Sequence, residues 1–400
     1  MAAVGSKAHG IRDSAQIAGR FVASKVLHII KALGRGGAEV LLAEGLGAAD
    51  RDRFAYSYAY LQTLPDDVAE DLRRQGAQVH CFRLDGKLKM MLGARSIAEY
   101  LREENIELVH AHLPVAGVIA RLVGRLASVP VVYTEHNLLE GYHPVTRRLN
   151  LLTWPWQAQV VAISDDVAAS VARHAGRRVP VRTIWNGVNT ARFAPECFSH
   201  QEARAQFGIP ADSPLVGTVA VFRDTPQKRL DVWLEAAHAI HAAEPETHFL
   251  LVGDGPVRSE LEARATEFGL ANVVHFAGRQ CDVRPFLAAM DIFLMSSAYE
   301  GFGIALVEAM AMEVAVVATN VEGVRNIVSP GETGLLAQFD EDVAKVLGEL
   351  CVELIKNRSR QRQVAGAGRK VAVEKFSMQR MQRELEALYQ EVLGAAGQVA

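Results

Sequence analysis

Two carboxylates in the stretch from Ser296 to Ala311 stand at a spacing that could do chemistry. Glu300 opens Glu300-Gly301-Phe302-Gly303-Ile304-Ala305, and seven residues separate it from Glu308. Glycines let a ligand approach the backbone closely, and a helix starting there offers unpaired N–H groups with partial positive charge. That is the geometry of a phosphate cradle. Carboxylates do not hold anions, so beside a phosphate they would accept hydrogen bonds from hydroxyls, as sugars provide. The pattern asks for a ligand that is both phosphate and polyol. Arg223 and Lys228 share the loop Val221-Phe222-Arg223-Asp224-Thr225-Pro226-Gln227-Lys228-Arg229. A planar fork of donors and a mobile point charge could together neutralise a diphosphate. Taken alone, that loop is better explained as two solvated surface charges, a reading that weakens because the same half carries Glu300 and Glu308.

Other candidates are less specific. Gly36 and Gly37, in Leu33-Gly34-Arg35-Gly36-Gly37-Ala38-Glu39, could accept an anion at a helix start, or form an ordinary tight turn. His110 and His112 are read as alternating across a strand, which would keep them from facing one cleft together, and no metal site is expected. His136, in Thr134-Glu135-His136-Asn137, is better placed to touch a substrate hydroxyl. Ser164 reads as an N-cap, with Asp165 and Asp166 in the first turn of its helix. Gly253, in Val252-Gly253-Asp254-Gly255, could border a nucleotide, although a structural turn explains it well. Arg279 is a candidate for contacting a base or phosphate, and Asn320, Gly323, Val324 and the Gly331–Gly334 turn would complete the rim.

These residues need a scaffold, and the chain supplies an alternation of short apolar runs and longer helical patterns that signals parallel α/β architecture. Strands are expected over 26–30, 56–61, 79–82, 108–110, 131–133, 160–163 and 181–184, then over 215–219, 249–252, 273–276, 292–295 and 314–318. Helices are expected over 38–48, 94–104, 115–127, 230–243, 257–268, 303–312, 340–356 and 378–393. Four hundred residues exceed one compact core. The expected division is a loose extension over 1–24, a Rossmann-like domain over 25–190, a Pro-containing connection over 191–214, a second Rossmann-like domain over 215–377 and a closing helical segment over 378–400. The candidates follow strand ends, where ligands of such sheets sit.

Composition narrows the function. Half the residues are apolar and the net charge is −3, which argues against bulk nucleic-acid binding. Residues 1–200 hold 24 Lys and Arg against 19 Asp and Glu, and residues 201–400 hold 19 against 27. The basic first half could face an anionic partner, and ordinary charge scatter explains it equally. Four cysteines without C-x-x-C spacing read as free thiols of a reducing compartment. No apolar run has the length of a membrane span. The location expected is cytoplasmic, with peripheral contact on the inner face of the cell membrane as a further option.

With Glu300 and Glu308, the Arg223–Lys228 pair, Gly36-Gly37-Ala38-Glu39, Asn186-Gly187-Val188-Asn189 and Pro330-Gly331-Glu332-Thr333-Gly334 assembled, the chain resembles retaining glycosyltransferases of the GT-B fold, family 4, of bacterial polysaccharide and glycolipid type. The resemblance runs from about residue 25 to 393. It implies two Rossmann-like domains facing each other across a cleft, with a C-terminal helix crossing back onto the first. It also implies roles. Glu308 would accept from the ribose diol of a UDP-sugar or GDP-sugar donor, and Glu300 would contact the transferred sugar. Backbone N–H groups from Phe302 to Ala305 would hold sugar hydroxyls and the distal phosphate. Arg223 and Lys228 would stabilise the departing diphosphate, His136 would lie near the reacting carbon, and Gly36-Gly37 would line the opposite wall. The family retains configuration through front-side attack and needs neither cofactor nor metal; no carboxylate is assigned as nucleophile. The loop from Arg223 to Lys228 is shorter than in many relatives, which bears on the reach of Lys228.

The expected activity is sugar transfer to a glycan or lipid-linked acceptor. A sugar-nucleotide 2-epimerase of the same fold, or a catalytically silent nucleotide-sugar-binding subunit, are the alternatives. The segment from Gly141 to Arg148, with Trp154-Pro155-Trp156, is a candidate acceptor or membrane patch, against burial of both tryptophans in the first core.

Overall fold

A computed structural model describes residues 23–397, except 35, 65–67, 87–88, 90–91 and 177. Most of the expected loose extension, and Arg35 of the first glycine turn, lie outside the described residues.

Seven strands form the first sheet: β1 Ser24–Ile30, β2 Phe54–Tyr60, β3 Gln78–Cys81, β4 Leu108–His112, β5 Val131–Glu135, β6 Gln159–Ala162 and β7 Val181–Thr183. Every pairing is parallel, in the order β3-β2-β1-β4-β5-β6-β7. Six more form the second: β8 Leu215–Val219, β9 His248–Val252, β10 Val274–Gly278, β11 Ile292–Met295, β12 Ala315–Thr319 and β13 Leu335–Ala337, in the parallel order β10-β9-β8-β11-β12-β13. These are the two Rossmann-like units that the alternation of patterns implies. Central strands such as Phe249–Val252 and Ile292–Met295 are buried along their length, because helices cover both faces. Each sheet reverses its winding beside its first strand, between β1 and β4 and between β8 and β11. Loops leaving the carboxyl ends there part and leave a crevice.

The helix Met378–Gly397 crosses back onto the first sheet. Its Met378, Met381, Leu385, Leu388 and Val392 pack with Val26, Phe54, Leu108, Val132 and Val161. Each such side chain, fully buried, contributes about 1.5–3 kcal/mol. The crossing fixes Gly187, where an added Cβ would stand 2.7 Å from the Met378 Cα. Val188 N–H donates to the Phe376 carbonyl at 2.8 Å, and Met378 N–H to the Val188 carbonyl at 2.9 Å.

Several elements depart from the sequence expectations. The connection over 191–214 contains a helix, His200–Gln206, fastened to the second domain through Arg204. That buried guanidinium donates to the carbonyls of Ala289, Ala211 and Ser213 and to the Asp291 carboxylate, at 3.0, 2.9, 2.6 and 2.5 Å. An 18-residue helix, Arg358–Lys375, and the short β13 occupy stretches where no element is expected. The two tryptophans divide: Trp154 is buried at 2% exposure and Trp156 is 38% exposed.

Candidate functional site

The residues expected to hold a phosphate and a polyol meet because two loops of the second domain are stitched together. Ser296, just after β11, donates its hydroxyl to the carbonyls of Lys228 and Arg229 at 3.0 and 2.8 Å. Ala298 N–H donates to the Gln227 carbonyl at 2.7 Å. The short loop therefore does not strand Lys228. Its Nζ stands 2.5 Å from Glu300 Oε1, which also accepts from Ser297 Oγ at 2.7 Å. Glu300 is 5% exposed, so this charge pair is held where water screens it little.

Gly303 caps the helix Ile304–Ala311 at φ 91, a left-handed conformation that favours glycine. Its carbonyl takes the N–H groups of Leu306 and Val307 at 3.0 and 3.3 Å. The N–H groups of Ile304 and Ala305, first in the helix, have no intrahelical acceptor. Phe302 is buried and packs edge-on against Phe376 at 5.6 Å, which anchors the turn from beneath. Glu308 follows one turn on, half-buried. Burial, and then the charge of Glu44 from the first domain, push its carboxyl up to about 8.

The opposite wall comes from the first domain. Gly36 is the N-cap of the helix Gly37–Leu46, and a Cβ on Gly37 would stand 3.3 Å from Ile304 Cδ1. The glycine turn therefore lies against the start of the cradle helix. Glu39 folds back over it, 2.5 Å from where a Gly36 Cβ would be. Burial raises the Glu39 carboxyl, while the exposed Arg223 across the cleft pulls the other way. His136 follows β5 and is buried. Its backbone N–H donates to Glu135 Oε1 at 3.1 Å, and the same carboxylate takes Tyr133 Oη at 3.2 Å as well as Tyr142 Oη. Burial pushes the Glu135 carboxyl up to about 7. The His136 carbonyl lies 2.4 Å from where a Gly301 Cβ would be, so only glycine lets the two domains approach there.

One cleft thus gathers Gly36, Gly37 and His136 from the first domain with Lys228, Glu300 to Ala305 and Glu308 from the second. Arg223 stands at its edge. Arg279, exposed, follows the end of β10. Gly253 has a structural reason of its own: at φ 143, its Cβ would fall 1.8 Å from the Ala220 carbonyl oxygen. The Gly331–Gly334 turn is built around Thr333 Oγ1, which accepts from Ser329 N–H at 2.9 Å, and leads into β13.

The histidines correct the sequence reading. Residues two apart on a strand share a face, and His110 and His112 do so, with ring centroids 4.2 Å apart. Together with His28 they bring ligating nitrogens within 4.8 Å of one another. They nevertheless do not fit a metal as they stand. His110 Nδ1 pairs with Tyr389 Oη at 2.6 Å and its Nε2 with Thr134 Oγ1 at 2.7 Å. A neutral imidazole has one N–H and one lone pair, and both are spent.

Two further residues shape the cleft without a local sequence signal for it. Ser164 is the expected N-cap, accepting from Val167 N–H at 3.2 Å. Asp166, in the turn it caps, reaches the second domain, accepting from Gly323 N–H at 3.0 Å and Asn326 Nδ2 at 2.7 Å. Glu44, which bears on Glu308, accepts from Asn189 Nδ2 at 3.0 Å and is paired with Arg192.

Residues 22–192 match the family model described as Glycosyltransferase Family 4, and residues 199–371 the one described as Glycosyl transferases group 1. The D-inositol 3-phosphate glycosyltransferase of Saccharomonospora viridis is 30% identical over 315 residues, 72% of this chain and 71% of that protein. The UDP-Gal:alpha-D-GlcNAc-diphosphoundecaprenol alpha-1,3-galactosyltransferase of Escherichia coli is 25% identical over 268 residues, 64% of this chain and 68% of the relative. Among solved structures, Anabaena HepE in complex with UDP and glucose superposes with a TM-score of 0.81 at 23% identity, over 92% of this chain and all of that one. That likeness makes the fold GT-B.

Proposed function

This chain belongs to the glycosyltransferases, with a family 4 domain followed by a group 1 domain, and on that premise we propose that it moves a sugar, with retention of configuration, from a nucleotide-diphosphate donor to a glycan or lipid-linked acceptor. The observation that carries the reading is the Lys228–Glu300 pair beside the Gly303-capped helix start, with Glu308 one turn further on. Lys228 and Arg223 stabilise the charge that grows on the leaving diphosphate, and the N–H groups of Ile304 and Ala305 do the same without reorganising. Glu308 takes the ribose diol, Glu300 the sugar hydroxyls and His136 the sugar near its reacting carbon. Gly36 and Gly37 line the phosphates' other side. Gly253 and Arg279 border the nucleotide.

UDP-sugars are the first donors to test and GDP-sugars the second, because relatives of this fold bind UDP. The Escherichia coli relative takes a lipid diphosphate acceptor, and this chain has a surface suited to meeting one at a membrane. Val145, Leu149 and Leu152 are exposed on the helix Pro144–Thr153, beside Trp156 and the Arg125 guanidinium 5.2 Å above its ring. Arg147 and Arg148 share that helix. Apolar side chains flanked by Arg suit an anionic bilayer surface, which supports a peripheral place on the inner membrane face. Among the described residues no helix is long and apolar enough to cross a membrane.

A panel of UDP-, GDP- and ADP-sugars, scored for thermal stabilisation and for slow hydrolysis, tests the reading. One donor at 100 times its Kd should stabilise the fold by about 2.7 kcal/mol. Lys228→Ala and Glu308→Ala should remove turnover and leave the circular dichroism spectrum unchanged. Near-normal turnover in either would refute the assignment. Because side chains and a helix start supply the positive charge, chelation with EDTA should leave turnover unchanged.

A further inference from the structure

We infer that His28, His112 and His136 act as one buried imidazole chain that decides which nitrogen of His136 carries its proton. His28 and His112 are then positioning residues, and the inference rests on the donor-side role proposed for His136. His28 Nδ1 stands 3.0 Å from His112 Nε2, and His112 Nδ1 stands 3.2 Å from His136 Nε2. The three side chains are 6%, 4% and 8% exposed. Strand register builds the chain: His28 on β1 pairs with His110 on β4, His112 sits two residues further along the same face, and His136 follows β5 beside it.

Neutrality gives the chain its logic. Burial holds the imidazoles unprotonated, with His28 down at about 3 and His136 at about 4, and His112 well below its ordinary value. Each neutral ring has one N–H and one lone pair, so each contact uses one of each. If His112 donates from Nδ1, its Nε2 must accept from His28, and His136 Nε2 accepts and leaves Nδ1 protonated. Reversing one contact reverses the other, and with them the tautomers of all three rings. The protons cannot be placed independently, and the character of His136 Nδ1, the nitrogen left for a ligand, is set as far away as β1.

The surroundings hold the rings in line. His28 stacks on Tyr58 at 5.1 Å and on His112 at 5.3 Å. His110, fixed by Tyr389 and Thr134, packs against His28 and His112 at 5.0 and 4.2 Å. Leu41, Leu42, Met381 and Leu385 close a cavity of about 30 Å³ over the group, room for about one water. A His136 without these neighbours would be free to sample both tautomers and would present a donor in one and an acceptor in the other.

Two-bond ¹H–¹⁵N spectra of the full-length, histidine-labelled protein test this without any substrate. His136 and His112 should each show a single neutral tautomer between pH 6 and 8. Mixed tautomers, or a His136 that titrates in that range, would overturn the chain. Replacing His112 by Phe should split the His136 signal into both tautomers and lower kcat roughly ten- to hundredfold, with donor KM little changed. His112→Asn places an amide where Nδ1 was and should recover kcat, while His112→Gln, which mimics Nε2, should not. His28→Phe should also shift the His136 tautomer, although it touches no ligand. An unchanged His136 tautomer in His112→Phe counts against the chain. Absence of transfer with every donor counts against the function and leaves the tautomer result standing. If the Phe variants do not fold, the wild-type spectrum decides.

Discussion

Glu308 is the residue at which binding and stability pull in opposite directions. Its carboxyl is pushed up to about 8 in the fold, against an ordinary value of 4.5. The folded state therefore keeps a proton that the unfolded chain releases above pH 4.5, so this group's contribution to stability falls as pH rises from about 4.5 to 8. On the proposed role of Glu308, a ribose diol would donate to the ionised form and replace the water that burial removes. Donor binding should release the proton, and affinity should tighten by up to about tenfold per pH unit until pH 8, then level off. Calorimetry with an intact nucleotide-sugar, whose phosphates do not titrate in this range, measures that slope. Glu308→Gln should abolish it and raise the melting temperature above wild type at pH 9, with the gap closing towards pH 5. A wild-type affinity flat from pH 6 to 8 would mean that Glu308 binds the donor protonated. The charge on Glu44, from the opposite domain, contributes to this tuning, and no spacing in the sequence joins residue 44 to residue 308.

At the scale of elements, the cradle was legible because its parts are contiguous. A strand, a turn with Gly301 and Gly303 and a helix carrying Glu308 follow one another within Ile292 to Ala311, so local rules suffice to assemble them. The β11 strand, the helix Ile304–Ala311 and the apolar stripe of Met378–Gly397 all carry clear patterns. The helix Arg358–Lys375 does not. It has few apolar residues and two interior glycines, one of them Gly368, whose Cβ would meet the Thr333 carbonyl at 3.2 Å. Its helicity comes from packing, which sequence periodicity does not report. The two cradle glycines also differ in a way that composition hides. Gly303→Ala strains only its own turn, at about 1–2 kcal/mol for a left-handed alanine, and should lower the melting temperature. Gly301→Ala drives a Cβ into the His136 carbonyl and should force the domains apart. Its melting temperature should change little while turnover falls by about a hundredfold. Equal behaviour of the two variants in both assays would remove the distinction.

For the whole molecule, the question is what holds the two domains closed around a cleft that ligands must enter. The bridged segments at Val188 and Ser377 tie the domains together at the crossing, and contacts on the far side of the cleft add to what holds the arrangement closed. Asp166 supplies them. It belongs to the first domain's helix Asp165–Ala175, and its Oδ2 accepts from both Gly323 N–H and Asn326 Nδ2 of the second. Gly323 stands at φ 81, with its Cβ position 2.7 Å from the Glu300 carbonyl, so this contact grips the backbone that carries Glu300. Hydrogen bonds to a charged group are worth about 1.5–3 kcal/mol each. Losing them should favour the open arrangement and charge the cost of closure to donor binding. Asp166→Ala should enlarge the radius of gyration in small-angle scattering and weaken donor binding by at least about tenfold, while saturating donor restores the compact shape. Asp166→Asn can present its amide oxygen in place of Oδ2 but loses the charge, and should fall between wild type and Asp166→Ala. Ser164 still caps the helix in both variants, so local unfolding does not mimic the effect. If Asp166→Ala keeps both the wild-type radius and the wild-type affinity, closure is held by the shared apolar core around Ile163, Val167, Phe302 and Leu306 alone.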